Sequence, residues 1–190
     1  NNLVYNWGGV GTQFQRQNTA SGGEFVMDGN HYVKGPLNSL AWSPKPILLR
    51  DNWAPGVHIH LNGNYAPDWP IKEQWDLIDN QTAYSQADMQ VSVPGAWPEG
   101  LFARDGSGIF DWVLDSAGAF PKSRDSLDAR LVKNARSRTG GMIDSTTFPV
   151  LAQNRRALTL PANPNADSGD GYTNIEKWLH GLAAQVEGRA

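Results

Sequence analysis

The chain has 190 residues, enough for one sizeable domain, and a net charge of −3 with 16 scattered basic residues, which excludes the electrostatic footprint of a nucleic-acid binder. There is no cysteine, so disulfide scaffolds and thiolate metal sites are excluded, while both a reducing and an oxidising compartment stay open. The longest aliphatic run, Ile47 to Leu49, falls far short of the roughly 20 residues that a membrane helix needs.

Asn1 opens the chain without an initiator methionine or a basic-then-apolar leader, as expected of a processed, engineered or truncated start. With 20 Gly and 12 Pro between short apolar runs, a turn-rich β architecture is expected. The 8 Trp can serve as core anchors or as platforms for the apolar face of a sugar ring.

Residues 1–66 carry a weak internal repeat. NNLVYNW (1–7), EFVMDGNHYVKGP (24–36) and HIHLNGNYAPDW (58–69) share a short apolar strand, an asparagine and a nearby aromatic, the first window lacking its leading strand. Asn2, Asn30 and Asn64 occupy the same place in each unit, at spacings of 28 and 34. Periods of this size mark stacked repeat architectures, parallel β-helices among them. Asparagine suits a repeated turn because it tolerates left-handed backbone and its amide can bond the next asparagine in a ladder. It is also a common turn residue in any fold.

Residues 67–106 are loop-rich. WPIKEQWDLI (69–78) suggests a short helix, and VSVPGAWPEG a strand followed by loop. Residues 107–190 turn helical. Ile109, Val113, Leu114 and Ala117 share one helix face, with Gly118 as the stop. Leu127, Leu131, Val132 and Ala135 share another, with Asp125 as cap and Gly140 as terminator. A third helix follows Thr173 and Glu176, whose T-x-x-E spacing forms a capping box, with Ile175, Trp178, Leu179 and Leu182 at helical spacing.

NNLVYNWGG, GGEFVMDGNHYVKGP, HIHLNGNYAP, VLDSAGAFPKSRDSLDARLVKNARSRTGGMIDS and GDGYTNIEKWLHGL, in this order, resemble successive segments from the C-terminal half of secreted bacterial pectate lyases. Only about 67–106 is poorly covered. The resemblance implies an all-β fold, a right-handed parallel β-helix, with 1–66 as coils, 67–106 as loop-rich continuation and 107–190 as a cap of helices and loops. It also implies cleavage of polygalacturonate by β-elimination, with calcium bridging protein carboxylates and the substrate's uronate and an arginine as base. The family's calcium-binding aspartates and catalytic arginine belong to segments before the one that matches Asn1, so no catalytic residue is assigned here. A non-catalytic module that holds acidic polysaccharide through exposed Trp, Arg16 and Lys34 is the alternative. Either way the first layer is expected to abut the N-terminal half of the same β-helix or another chain.

The residues also allow local sites. NADSGDGYTNIEKWL reads like a calcium loop, but with Asp170 at loop position five the strong ligand positions one, three and twelve hold Ala166, Ser168 and Lys177. Asp167, Asp170 and Asn174 can still gather a weak calcium site with backbone carbonyls. His58 and His60 share a strand face and could pair on a metal, or simply lie on an exposed face. Asp111 and Asp115, four apart, suit a solvated helix face better than a glycosidase pair. Arg155 and Arg156 beside Asn154 could grip uronates or cover surface. No phosphate-loop lysine or serine nucleophile elbow is present.

Overall fold

The computed structural model describes residues 1–15, 22–50, 56–95, 97–118, 120–141 and 159–187. By compactness the chain divides into two units, 1–114 with 134–142 and 115–133 with 143–190.

Short runs of β-branched and aliphatic residues between turn residues set the strands of the first unit. They are β1 (Leu3–Tyr5), β2 (Thr12–Phe14), β3 (Gly23–Asp28), β4 (His31–Val33), β5 (Ile47–Leu49), β6 (Val57–Asn62), β7 (Ile78–Asn80) and β8 (Gln90–Val91). All pairings are parallel, and they build three sheets with the orders β1-β4, β2-β5-β7 and β3-β6-β8. Each strand from β4 to β6 therefore lies beside the strand three places earlier. Alternation then fixes the inward faces: Phe25 sits opposite Ile59 and Met27 opposite Leu61, while the outward Asp28 meets Asn62.

Inward side chains from the three sheets form one core of the first unit, including Tyr32, Ile47, Leu49, Ile59, Leu77, Ile78 and Met89. Burying each large apolar side chain stabilises by about 1.5–3 kcal/mol, so this layer dominates the unit's energetics. The turns before Asn30 and Asn64 need left-handed backbone, taken by Gly29 and by Gly63 at φ 56°. Gly29 supplies it at φ 61°, and a Cβ there would come within 2.0 Å of the Arg104 carbonyl oxygen.

An all-β right-handed parallel β-helix does not form. The parallel sheets have only two or three strands each, none is closed or continued into a solenoid, and four helices occur among the described residues. The physical reason lies in the sequence after Val91, where apolar residues return at helical spacing rather than in alternation. The helices after Val91 are α2 (Ile109–Ser116), α3 (Ser126–Ser137) and α4 (Asn174–Glu187), while the single-turn α1 (Gln86–Met89) runs directly into β8. The short helix suggested within 69–78 is a 3-10 turn, Gln74–Leu77, running into β7.

Ile109 and Leu114 of α2 are buried, whereas Ala117 lies beyond its end and is exposed. Asp125 caps α3 by accepting from the amides of Leu127 and Asp128, both at 2.9 Å. That helix stops at Arg138, φ 53°, rather than at Gly140, and Leu131 faces solvent at 51% exposure. In the second unit Thr173 and Glu176 form the box that opens α4: the Thr173 amide donates to Glu176 Oε2 at 2.7 Å, and the Glu176 amide donates to Thr173 Oγ1 at 3.4 Å.

Candidate functional site

Lys34 follows β4, and its surroundings come from distant parts of the first unit. The Lys34 amide donates to Asp68 Oδ2 at 2.9 Å, and its ammonium donates to the Asp68 carbonyl at 3.4 Å. The same ammonium lies 4.2 Å from the centroid of the Trp69 ring. Trp69 stacks on Trp7 at 5.6 Å and 11°, and Trp7 meets the buried Tyr32 edge-on. The Trp69 indole N–H donates to the Pro44 carbonyl at 2.9 Å, so the platform is fixed at its polar end as well.

Arg138 closes the other side of Asp68, its Nη1 donating to Oδ1 at 2.6 Å. Burial raises the Asp68 carboxyl, but hydrogen bonds from Lys34 and Arg138, with their charges, outweigh it and hold the carboxyl below its usual range. Asp68 is thus a fixed anion between two cations. Next to it, Tyr5 donates from its hydroxyl to the Thr139 carbonyl at 2.6 Å. His31 packs edge-on against Tyr65 and at a tilt against Phe110, with Nδ1 2.8 Å from the Gly106 carbonyl.

This arrangement offers a cation and an aromatic surface to a ligand. Among the described residues the Lys34 ammonium donates to the Asp68 carbonyl alone, and it sits beside two large stacked rings. A carboxylate on a sugar ring suits that pairing of cation and aromatic surface. Asp68, Trp69 and Arg138 were not singled out from sequence, and the only signal was the trailing aromatic of the third repeat.

The three repeat asparagines come together. Asn2 donates its amide and Nδ2 to Asn30 Oδ1 at 3.0 and 2.8 Å, and Asn30 donates the same two groups to Asn64 Oδ1 at 3.1 and 2.8 Å. Asn64 repeats the pattern onto Gln74 Oε1 at 2.8 and 3.0 Å, and Gln74 Nε2 returns a bond to the Asn64 carbonyl at 3.0 Å. Gln74 is a fourth rung with no repeat signature.

The loop before α4 does not fit calcium. Lys177 places its ammonium 2.9 Å from Asp170 Oδ2, which also makes Asp170 a poor vacancy for a cation, and Ser168 donates to Asp170 Oδ1. Asp167 Oδ1 accepts from the Gly169 amide at 2.7 Å, while Asn174 Nδ2 turns to the carbonyl of Asn163 at 3.1 Å. Among the described residues no group of three or more His, Asp or Glu is arranged to hold a metal ion. His60 instead has Nδ1 3.2 Å from the Val91 carbonyl, and Asp111 pairs with Arg136 at 2.5 Å. Arg16, Asn154, Arg155 and Arg156 lie outside the described residues. No described helix is long and apolar enough to cross a membrane.

Comparison with protein-family models, with curated proteins and with solved structures finds no match for this chain.

Proposed function

We propose that this chain is part of a pectate lyase acting on polygalacturonate by calcium-assisted β-elimination, and that its own contribution is to hold acidic polysaccharide. The observation that carries the reading is the Lys34 ammonium beside the Trp69–Trp7 stack, a cation and an aromatic surface held together by Asp68. The ordered segments that resemble pectate lyases supply the reaction class. Calcium, when bound in such an enzyme, neutralises the uronate carboxylate. The described residues offer it no fitting donor set, so no step of the elimination is assigned to them. A polymer substrate of this size is met outside the cell, and secretion belongs to the proposal.

The reading is tested with the complete encoded polypeptide and with this chain alone, each mixed with polygalacturonate with calcium or with chelator. Unsaturated uronides, seen by ultraviolet absorbance, are expected from the complete polypeptide with calcium only, and binding without cleavage from this chain. A complete polypeptide that binds polygalacturonate and never cleaves it would establish the second reading, a non-catalytic binding module. That reading is favoured by the absence of a poised acid or base around Lys34 among the described residues.

A further inference from the structure

A second pair of cation and aromatic ring stands in the first unit. Trp42, on the loop that leads to β5, is 51% exposed, and the Arg50 guanidinium just after β5 lies 5.4 Å from the centroid of its ring. The ring is fixed in place. The Trp42 amide donates to the Gly9 carbonyl at 3.2 Å, and a Cβ on Gly9 would come within 2.7 Å of the indole Nε1, so the indole lies against bare backbone. Two links tie this pair to the surroundings of Lys34. A Cβ on Gly11 would meet Trp7 Cε2 at 3.3 Å, so Trp7 and Trp42 both lie against the segment from Gly9 to Gly11, a step that spans at most about 7 Å. Trp69, which stacks on Trp7, donates from its indole N–H to the carbonyl of Pro44, on the loop that carries Trp42.

We propose that Trp42 and Arg50 form a second sugar site, which takes a uronate residue further along the polysaccharide strand held by Lys34 and Trp69; this rests on the reading of that first pair as a site for acidic polysaccharide. The exposed indole offers a flat apolar surface to a sugar ring, and the planar guanidinium matches a carboxylate with two parallel N–H groups. One exposed aromatic is ordinary on a protein surface; a fixed ring with a cation over it is what distinguishes Trp42. A strand that reaches both pairs binds more tightly than a fragment that reaches one, because the second contact forms at high effective concentration. A fully methyl-esterified strand keeps the ring contacts and loses both charge pairings.

The test uses calorimetry on the whole chain, with chelator present, and compares a short with a long oligogalacturonate. In the wild type the short oligomer should fill the two pairs separately, and the long one should bridge them with higher affinity. Arg50→Gln and Trp42→Ala should each weaken the long oligomer about tenfold, as for loss of one charge-assisted hydrogen bond, and leave a short-oligomer site that a further Lys34→Ala abolishes. Arg50→Gln keeps the indole in place, so a Trp42→Ala chain that fails to fold does not decide the outcome. No gain in affinity from short to long, equal long-oligomer affinity in wild type and Arg50→Gln, or equal binding of a fully methyl-esterified oligomer would overturn the second site while Lys34→Ala still reports on the first. Long-oligomer binding that Lys34→Ala does not weaken, or no binding at all, would overturn the first reading and this one with it.

Discussion

Asn30 Nδ2 lies 2.8 Å from Asn64 Oδ1 inside the first unit, and both residues are buried, at 5% and 3% exposure. A buried amide costs free energy unless its donors and acceptor are used, and here each is. Asn30→Ala removes one rung and strands its neighbours: Asn2 loses the acceptor of both its N–H groups. The expected cost is about 1–3 kcal/mol. Urea unfolding checks it, through a lower midpoint at unchanged slope; a change below a few tenths of that would mean that water replaces the rung.

Lys34→Ala should weaken binding of polygalacturonate about tenfold, as for the loss of one charge-assisted hydrogen bond of about 1.5 kcal/mol. Lys34→Arg should keep most of it. Affinity electrophoresis at increasing salt is the measurement, and the difference between wild type and Lys34→Ala should shrink as salt screens the pair. Equal mobility of wild type and Lys34→Ala at low salt would remove Lys34 from the site.

What the sequence could show depended on how local each relationship is. Asn2, Asn30 and Asn64 were visible because one residue type recurs at one turn; Gln74, which completes their ladder, breaks the type and was not. Caps at Asp125 and at Thr173 with Glu176 span three residues and were readable as short patterns. The end of α3 was not, since Arg138 takes the left-handed position before Gly140 can. Its positive φ places it where its guanidinium meets Asp68, 70 residues away in the chain, a distance at which no spacing rule operates. The all-β solenoid failed for a related reason. Period and alternation describe one strand and its turn, but say nothing of how many strands a sheet collects before helical spacing takes over.

His31 makes the first unit sensitive to acid. Burial is the main cause lowering its pKa from 6.5, with the Arg138 charge adding to it and the Gly106 carbonyl, Asp68 and Asp111 opposing. A folded value below the unfolded one favours the neutral ring. Its contribution is therefore complete above pH 6.5 and is lost as the pH falls through the lower folded value. Urea unfolding at pH 7 and pH 5 should show lower stability at pH 5. His31→Phe, which gives up the bond to Gly106, should be weaker at pH 7 and lose this part of the pH dependence. An unchanged dependence in that variant would assign it to other groups.

The loop before α4 separates a helix cap from a cation site by experiment. Asp170 is held down to about 2, first by the Ser168 hydroxyl and then by Lys177, so its charged form is favoured in the folded chain. That contribution is present above the ordinary value of 3.8 and fades as the pH drops toward 2. Thr173→Ala should cost about 1 kcal/mol through the lost cap, read as lower helicity of α4 by amide exchange. Calcium should leave the thermal midpoint of the wild type unchanged, because the Lys177 ammonium occupies the place of a carboxylate ligand. Lys177→Glu reverses that charge at the twelfth loop position. It should give a midpoint that rises with added calcium, and magnesium should act less, since it demands a tighter octahedral shell. A calcium-dependent rise already present in the wild type would show that Asp167, Asp170 and Asn174 bind the ion despite the lysine, and that the ion pair opens to admit it.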